Sequence, residues 1–332
     1  MARVAINGLG RIGRATLKLV MDHPQLELVA VNDIVDVKQL AYLLRYDSAY
    51  GRYKKNVESQ ENKQENKLII DGNAIPVFNE KDPEQLPWES LGVALAFECT
   101  GLFTTREGLT KHLKAGAKKA VLSAPAKGDG MQFVVHGVNQ ATENSFSTAS
   151  CTTNCITPVT EIMSRRIGVR KAILNTTHAY TTSQSIVDGP ARKLERGRAG
   201  AINLVPTSTG AAQATTKILT DLEGKFDGLA IRAPVVVGSV ADVTFVSARP
   251  TNVEEINDIF RHEKMSPRYH DVLEVSEDPI VSSDVIQDPH AAIVDLTLTK
   301  VVDGDLVKVM AFYDNEWGYA AQMVREAARV VR

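Results

Sequence analysis

Cys151 carries the side chain best suited to covalent chemistry in this chain of 332 residues. Hydroxyl residues flank it, and the apolar spacing that follows predicts a helix that ends at Gly168. Ser150 is a natural N-cap, which places Cys151 in the first helical turn. Because backbone N–H groups and the helix dipole favour negative charge there, we expect the thiol to ionise more easily than a free cysteine. The sequence therefore predicts a nucleophilic thiolate rather than a small buried hydrophobe.

His178 is the candidate partner of that thiolate. It ends a predicted strand that begins at Lys171, shortly after the cysteine helix. A lone histidine is more often structural than catalytic, but the nucleophile just upstream favours an imidazole that pairs with the thiolate and moves protons. Cys155, one turn after Cys151, is expected to be structural, and the spacing of cysteines and histidines indicates no metal site.

Hydroxyl residues and an arginine in the second half of the chain predict an anion site. Thr209 and Gly210 open a helical pattern, and helix starts bind phosphate readily. Arg232 lies near a strand end, where its guanidinium could grip a phosphate, although an interface salt bridge is an equally good interpretation. Thr181 and Ser208 complete the set of donors.

A dinucleotide-binding pattern opens the chain. A short buried strand leads into Gly8, Gly10 and Gly13, a helix follows, and the next strand ends at Asp33, twenty residues after the last glycine. The glycines permit a tight turn and let the backbone approach a pyrophosphate at the helix N-terminus. Asp33 is placed to accept hydrogen bonds from an adenosine ribose.

The surrounding elements predict an α/β protein with two domains. Residues 1–150 are typical of a doubly wound, mostly parallel Rossmann-type sheet, in which Thr100 and Ser123 fall at strand C-termini, where ligands bind. Residues 151–315 carry strands separated by long connections, which favour an α+β catalytic domain with a large mixed or antiparallel sheet. A helical pattern over residues 316–332 is expected to pack back on the first domain and complete it.

Two segments of the first domain give weaker signals. Residues 37–53 are mixed and predict no clear element. Residues 54–67 are rich in Lys, Glu, Asn and Gln, so we expect a solvated, variable excursion rather than a site. Residues 67–78 carry a hairpin pattern around an Asp-Gly turn.

Composition and charge exclude several classes of function. The formal net charge of -2 gives no sign of a nucleic-acid or membrane-binding surface. Three cysteines do not make a disulfide framework, which favours a reducing compartment. The chain opens directly into a strand pattern, with no room for a signal peptide, and no apolar run approaches the length of a membrane span. We therefore expect a cytoplasmic protein with no membrane or nucleic-acid partner.

Six motifs resemble those of the phosphorylating glyceraldehyde-3-phosphate dehydrogenases. They run in that family's order over essentially the whole chain, and together they are highly specific. The motifs are NGLGRIGR at 7–14, RYDS at 45–48, ASCTTNC at 149–155, HAYT at 178–181, PTSTGAA at 206–212 and YDNEWGY at 313–319.

The resemblance implies a homotetramer that oxidises glyceraldehyde 3-phosphate with NAD and inorganic phosphate, giving 1,3-bisphosphoglycerate. Cys151 would be the nucleophile that forms a thioester, and His178 the acid–base group. The substrate phosphate would meet Thr181 and Arg232. The attacking phosphate would meet Ser150, Thr152, Thr209 and Gly210. NAD would be held by Asn7, Gly8, Gly10, Arg11, Ile12, Asp33, Thr100, Ser123, Asn315 and Tyr319. The segment 182–203 resembles the loop that lines a neighbouring subunit's cofactor site.

This chain departs from the family pattern at residues 191–196, after Arg232 and over residues 261–274, and two other functions stay open. Residues 191–196 read ARKLER where HKDLRR is usual, so Glu195 stands where an arginine is common. After Arg232, residues 233–239 read APVVVGS where Val-Pro-Thr is often found, which affects the substrate-phosphate pocket. Erythrose-4-phosphate dehydrogenase, which shares the fold and the cysteine chemistry, is the closest alternative enzyme. An inactive NAD-binding sensor or scaffold is the alternative from another class, against which the intact cysteine and histidine argue.

Overall fold

The computed structural model describes residues 1–62 and 65–332, and these form two compact units. The first unit consists of Met1–Val134, Ala141–Ala149 and Met323–Arg332, and the second of Val135–Gln140 and Ser150–Gln322. The helices over the described residues are α1 (Arg11–Met21), α2 (Val37–Arg45), α3 (Arg106–Lys114), α4 (Cys151–Ile167), α5 (Ala211–Thr216), α6 (Val253–Lys264) and α7 (Trp317–Val330).

The strands are β1 (Ala2–Asn7), β2 (Leu26–Asn32), β3 (Tyr46–Asp47), β4 (Gly51–Arg52), β5 (Val57–Glu61), β6 (Asn66–Ile70), β7 (Asn73–Phe78), β8 (Leu95–Glu98), β9 (Lys119–Leu122), β10 (Gln132–Phe133), β11 (Ser145–Ser147), β12 (Val169–Ala179), β13 (Val205–Ser208), β14 (Phe226–Ala233), β15 (Ser239–Ser247), β16 (Leu273–Ser276), β17 (Ala292–Asp295), β18 (Lys300–Val302) and β19 (Leu306–Tyr313).

A nine-stranded sheet with the order β10-β11-β9-β8-β1-β2-β7-β6-β5 forms the centre of the first unit. Every pair from β10 to β7 is parallel, and β7, β6 and β5 pair antiparallel at one edge. The central strands are buried on both faces, as the continuous apolar run Val4-Ala5-Ile6 indicates. The Rossmann-type fold expected for this part of the chain is confirmed.

An eight-stranded mixed sheet with the order β13-β14-β12-β15-β19-β17-β16 forms the second unit, and β18 pairs with β19. The pairs β12–β14 and β16–β17 are parallel and the others are antiparallel. Strand β15 alternates buried and partly buried residues, as expected of a strand with one face on a core. The apolar face of α4, including Ile156, Val159 and Ile162, shares that core with Val243 and Phe245 of β15.

Two segments of the first unit differ from expectation. Residues 37–45, in the stretch without a clear signal, form α2, which Asp36 caps by accepting hydrogen bonds from the N–H groups of Lys38 and Gln39. The helical period was obscured because Tyr42 and Leu43 are apolar yet exposed. The described residues of the 54–67 segment are mostly exposed or partly exposed, as expected, but the segment also has regular structure, because it contributes β5 and the start of β6, which pair antiparallel. Residues 63–64 of that segment lie outside the described residues.

Helix α7 confirms the helical pattern at the end of the sequence. Its residues Met323, Val324, Ala327 and Ala328 belong to the apolar core of the first unit, together with Ile6 of β1. Across the part of the chain that the structure describes, we find no helix with the length and apolar character needed to cross a membrane.

The glycine turn between β1 and α1 makes a stability prediction. A Cβ on Gly13 would lie 1.9 Å from the Gly8 carbonyl oxygen, whereas a Cβ on Gly10 would have no neighbour within 4 Å. We therefore expect Gly13→Ala to lower the free energy of unfolding by about 1–3 kcal/mol or more, because backbone must move. Gly10→Ala should change it by less than about 1 kcal/mol. Urea denaturation measures both, and equal stabilities of the two variants would contradict the close approach.

Candidate active site

The start of α4 presents Cys151 as predicted. Ser150 is the N-cap, and its Oγ accepts a hydrogen bond from the Thr153 N–H at 3.1 Å. The helix stops at Gly168, whose φ of 75° suits glycine. The capping residue and the terminator inferred from the sequence are both confirmed.

His178 meets Cys151 directly, with 3.3 Å between Nε2 and Sγ. It is the penultimate residue of β12, and the parallel register with β14 sets it beside Arg232. Strand β12 and helix α4 thus bring together two side chains that lie 27 residues apart in the sequence. The distance suits proton transfer between a thiol and an imidazole.

Two groups compete for the other ring nitrogen of His178. Its Nδ1 lies 2.7 Å from the carbonyl oxygen of Ala179 and 2.9 Å from Nη1 of Arg232. If Nδ1 carries a hydrogen, it donates to Ala179, and Nε2 can accept the thiol proton. If Arg232 donates to Nδ1, Nε2 carries the hydrogen and points it at the sulfur. The position of Arg232 therefore decides whether His178 acts as a base toward Cys151.

Burial controls the charge of this pair. It lowers the pKa of His178 to about 3, and the positive charge of Arg232 acts in the same direction. Burial also raises the pKa of the Cys151 thiol, although Arg232 and hydrogen bonds from Thr152 oppose the change. The prediction that the helix start makes this thiol easier to ionise is therefore wrong for the thiol alone, because desolvation outweighs the hydrogen bonds from the first helical turn. A thiolate forms favourably only when the proton moves to His178, since each charge then stabilises the other.

Tyr313 and Thr176 hold the pair in place, and both were missed in the sequence analysis. The Tyr313 hydroxyl lies 2.8 Å from Thr152 Oγ1 and 3.0 Å from Thr176 Oγ1. Its ring packs edge-on against the His178 ring, with centroids 6.0 Å apart. The sequence did contain a signal for Thr176, because residues two apart in a strand share a face, which places Thr176 on the same face of β12 as His178.

Arg232 is equipped to bind an anion. Its Nη1 donates to the Ala179 carbonyl at 2.9 Å, but its Nε is buried and has no hydrogen-bond partner. A buried donor without a partner is costly, so a bound anion would satisfy it. Thr181 lies two residues beyond Ala179, partly exposed, with its Oγ1 2.9 Å from Ser183 Oγ.

The second group of predicted anion donors lies elsewhere on the same sheet. Val205 of β13 is opposite Arg232, so Thr209 lies four residues further along, about 13 Å at the rise of a strand. Thr209 is partly exposed and Gly210, the N-cap of the short helix α5, is exposed. The donors around Thr209 and Arg232 therefore form two groups rather than one.

The departures from the family pattern at residues 191–196 and 233–239 make specific hydrogen bonds. Glu195 accepts a hydrogen bond from Thr207 Oγ1 at 2.7 Å, and Arg196 Nε donates to the same hydroxyl oxygen at 3.1 Å. Lys193 contacts Ser208 through its Nζ. These bonds fix the turn at Leu194–Gly197 against β13, just before Thr209.

In the segment after Arg232, Ser239 links the end of β12 to Asn315. Its Oγ accepts from the Ala179 N–H at 3.1 Å and donates to Asn315 Oδ1 at 3.0 Å. The Gly238 N–H also donates to Asn315 Oδ1, at 3.1 Å. These bonds fix the amide orientation, so that Nδ2 is the end of Asn315 that can donate to a ligand. Tyr319 is buried in the first turn of α7.

The glycine turn of the first unit fits a dinucleotide. Gly10 caps α1 without a side chain, and the space beside it is open. Asp33 is partly exposed, and its two carboxylate oxygens accept from the N–H groups of Leu9 at 2.6 Å and Val35 at 2.9 Å. It retains lone pairs for ribose hydroxyls. A pyrophosphate at the start of α1 and a ribose at Asp33 are therefore compatible with these residues.

Several predicted cofactor residues use their side chains for other contacts. Asn7 is buried and donates to Glu98, and Thr100 also donates to Glu98 through its N–H and hydroxyl. Arg11 pairs with Asp47 at 2.6 Å. Ile12 and Ser123 are partly buried, and the Ser123 N–H donates to the Glu98 carbonyl oxygen at 3.0 Å.

Comparison with protein families identifies the chain. A family model described as the NAD binding domain of glyceraldehyde 3-phosphate dehydrogenase matches residues 2–106, and one described as the C-terminal domain matches residues 150–315. The chain belongs to the glyceraldehyde-3-phosphate dehydrogenase family. NAD is accordingly its cofactor, and the match includes the glycine turn and Asp33.

Curated members of the glyceraldehyde-3-phosphate dehydrogenase family align with almost the whole chain. The enzyme of Clostridium acetobutylicum is 44% identical, with 99% of this chain and 98% of that protein covered. The enzyme of Thermotoga maritima is 43% identical over 98% of this chain and 97% of its own length. The enzyme of Zymomonas mobilis is 42% identical, with 99% of this chain and 98% of that protein covered. All three carry the name glyceraldehyde-3-phosphate dehydrogenase.

The charge of Arg232 predicts a pH effect on Cys151. Because this guanidinium lowers the pKa of the thiol, Arg232→Leu should raise that pKa further. The same guanidinium lowers the pKa of His178 and approaches its Nδ1, so the variants are compared in a His178→Asn background, where only the direct effect on the thiol remains. The pH profile of alkylation by iodoacetamide should then move to higher pH, with a slower rate at pH about 7. Arg170→Leu, an exposed arginine at the other end of β12, is the matched control and should leave the profile unchanged. Coincident profiles for His178→Asn with and without Arg232→Leu would rule out this electrostatic role.

Proposed function

We propose that this protein is a phosphorylating glyceraldehyde-3-phosphate dehydrogenase that uses NAD and inorganic phosphate to make 1,3-bisphosphoglycerate. The contact between Cys151 Sγ and His178 Nε2, 3.3 Å long, is the observation that carries the proposal. It joins a nucleophile to a proton acceptor in a member of this family, which an inactive cofactor-binding scaffold would not require.

Cys151 begins the reaction by adding its sulfur to the aldehyde carbon. The carbon–sulfur bond forms as the carbonyl double bond opens, and the oxygen takes up a proton to give a hemithioacetal. His178 Nε2 then removes the hydroxyl proton while the C1 hydrogen leaves as hydride, a role worth about 10²–10⁴-fold in rate. NAD, when bound, supplies the acceptor for that hydride. The product on Cys151 is a thioester, and attack by a phosphate oxygen releases the acyl phosphate and restores the thiolate.

We assign the phosphate of the aldehyde to Arg232 and Thr181. The unpaired Nε of Arg232 supports this assignment, because a phosphate oxygen is the acceptor that it lacks. An anion at this position would also draw the guanidinium away from His178 Nδ1, which then donates to Ala179 and leaves Nε2 as a base. Substrate binding and base strength would thus be coupled through one arginine.

We assign the attacking phosphate to Ser150, Thr152, Thr209 and Gly210. The separation of Thr209 from Arg232 along the sheet supports a second site, since one phosphate cannot reach both groups of donors. The Thr152 hydroxyl bonds to Tyr313, so we expect it to act mainly by holding that ring against His178.

We further propose a homotetramer in which the segment 182–203 contacts a neighbouring subunit. Its large apolar side chains are strongly exposed, with Ile186 at 85% and Leu194 at 87%, and such surfaces mark interfaces. Residues 1–150, completed by 316–332, would form the NAD-binding domain and residues 151–315 the catalytic and oligomerisation domain. A nucleophilic thiol also suits the reducing cytoplasm.

Removal of the nucleophile and of phosphate tests the reaction. Cys151→Ser should abolish aldehyde-dependent NADH formation, while NAD binding stays close to that of the wild type. Wild-type turnover should also need inorganic phosphate, because the thioester accumulates without an acceptor, and arsenate should replace it. The measurement is steady-state NADH absorbance, with erythrose 4-phosphate as the competing aldehyde. A full steady-state rate without phosphate or arsenate, or faster turnover of erythrose 4-phosphate, would exclude the proposed reaction.

Asp33 predicts the choice of cofactor. Its carboxylate would lie beside the 2′-phosphate of NADP, and like charges repel, so we expect a preference for NAD of about tenfold or more. Asp33→Ala should narrow that gap by improving NADP relative to NAD. Loss of the bond to the Leu9 N–H weakens both cofactors alike, so the ratio of their kcat/KM values isolates the charge effect. An unchanged ratio in Asp33→Ala would show that this carboxylate does not select the cofactor.

A further inference from the structure

Glu98, the last residue of β8, is a buried carboxylate that the proposed reaction does not use. Its side chain is fully buried, with 0% exposure, yet four donors surround it. Oε2 accepts from Asn7 Nδ2 at 2.6 Å and is 3.0 Å from His112 Nε2. Oε1 accepts from the N–H of Thr100 at 2.8 Å and from its hydroxyl. Such a concentration of donors needs an explanation.

The direction of the His112 bond is fixed from its far side. Trp88 is fully buried, and its indole N–H lies 3.0 Å from His112 Nδ1. An indole nitrogen can only donate, so Nδ1 of His112 must accept. The ring hydrogen is therefore on Nε2, and it points at Glu98.

The direction of the Asn7 bond is fixed by backbone. Asn32 Oδ1 accepts from the Glu80 N–H at 2.8 Å, and Asn32 Nδ2 donates to the Glu80 carbonyl at 2.9 Å. This pair of bonds permits only one orientation of the Asn32 amide, in which Nδ2 also donates to Asn7 Oδ1 at 2.7 Å. Asn7 must then present Nδ2 to Glu98.

Position 98 must consequently accept hydrogen bonds on both oxygens. A carboxylate does so, whereas the NH2 group of an amide would put a hydrogen against at least one of these donors. Its partners are neutral groups, since His112 carries a single ring hydrogen in this arrangement. The carboxylate therefore holds its buried charge only through these directed bonds.

Two partners of Glu98, Asn7 and Thr100, lie at turns beside the glycine motif, and the third, His112, lies in α3. Asn7 precedes Gly8, and Asn7 and Glu98 are register partners at the ends of β1 and β8. A Cβ on Gly8 would lie 2.7 Å from the Thr100 nitrogen, so the two turns touch through their backbones. One carboxylate thus ties both turns together at the edge of the sheet where a dinucleotide would bind.

We propose that Glu98 is a positioning residue for the cofactor: its carboxylate, bonded to Asn7, Thr100 and His112, holds the Gly8 and Thr100 turns in the conformation that binds NAD. The proposal rests on the NAD site of the proposed function. Asn7 then supports NAD binding indirectly, by holding the turn, because its buried amide is hydrogen-bonded to Glu98 and Asn32.

Glu98→Gln tests this role in the full-length protein, because it keeps the size of the side chain and replaces one acceptor by a donor. We expect the dissociation constant for NAD, from calorimetric titration, to rise by about tenfold or more, since buried donors lose their acceptor. At saturating NAD, kcat should stay within about threefold of the wild type. Leu68→Ala, a fully buried leucine of β6, is the matched control for general destabilisation. It should lower the melting temperature without changing the NAD affinity.

The double variant Asn7→Asp/Glu98→Gln provides a rescue. It moves the carboxylate to position 7, where it accepts from Asn32 Nδ2 and from the new amide, whose oxygen still accepts from Thr100, so that only the His112 bond stays lost. Asn7→Asp alone, by contrast, sets two carboxylates face to face. The double variant should bind NAD at least about threefold more tightly than either single variant. If Glu98→Gln does not fold, the comparison of the double variant with Asn7→Asp still tests the positioning role.

An NAD affinity of Glu98→Gln that equals the wild type, or falls no more than that of Leu68→Ala, would overturn the positioning role. So would a double variant that binds no better than its parents. A wild-type protein that does not bind NAD at all would instead count against the proposed function, and the two failures are therefore distinguishable.

Discussion

The contact between the Cys151 sulfur and the His178 imidazole is the interaction on which the second unit depends. His178 is buried and Cys151 is partly buried, and this desolvation raises the pKa of the thiol and lowers that of the imidazole. Neither charge is favourable alone, so a thiolate requires the proton to cross the 3.3 Å between them. The capped start of α4, the end of β12 and the ring of Tyr313 all restrict that distance. Burial therefore converts two ordinary side chains into one unit that exchanges a proton.

Arg232 connects this pair to the proposed site for the substrate phosphate. It approaches His178 Nδ1 at 2.9 Å and competes with the Ala179 carbonyl for that nitrogen. Its own Nε is left without an acceptor in a buried position. A buried cation with an unsatisfied donor is unfavourable until an anion binds, and this is the physical basis of the proposed coupling between substrate binding and the basicity of His178.

The first unit uses a buried charge for a different purpose. Glu98 accepts four hydrogen bonds whose directions are set by a tryptophan, by backbone and by an asparagine amide. Such a network has one arrangement of donors and acceptors, so it specifies the backbone of the turns around it more strictly than apolar packing would. In both units a group that is costly to bury is retained where a ligand or a substrate must be placed accurately.

The sequence by itself determined the features that depend on neighbours along the chain. The helix after the glycine turn, the Ser150 cap and the Gly168 stop followed from glycine spacing, capping residues and apolar period. Helix α2 was not predicted, because exposed apolar residues obscured its helical period. Strand β5 was not predicted, because it lies at a sheet edge and its residues are mostly polar. Only the tertiary structure decided that burial raises the pKa of Cys151 and that the Asn7 amide meets a carboxylate 91 residues away. It also placed Tyr313 against His178. Desolvation and the direction of a hydrogen bond depend on which distant residues surround a group, and local sequence patterns do not contain that information.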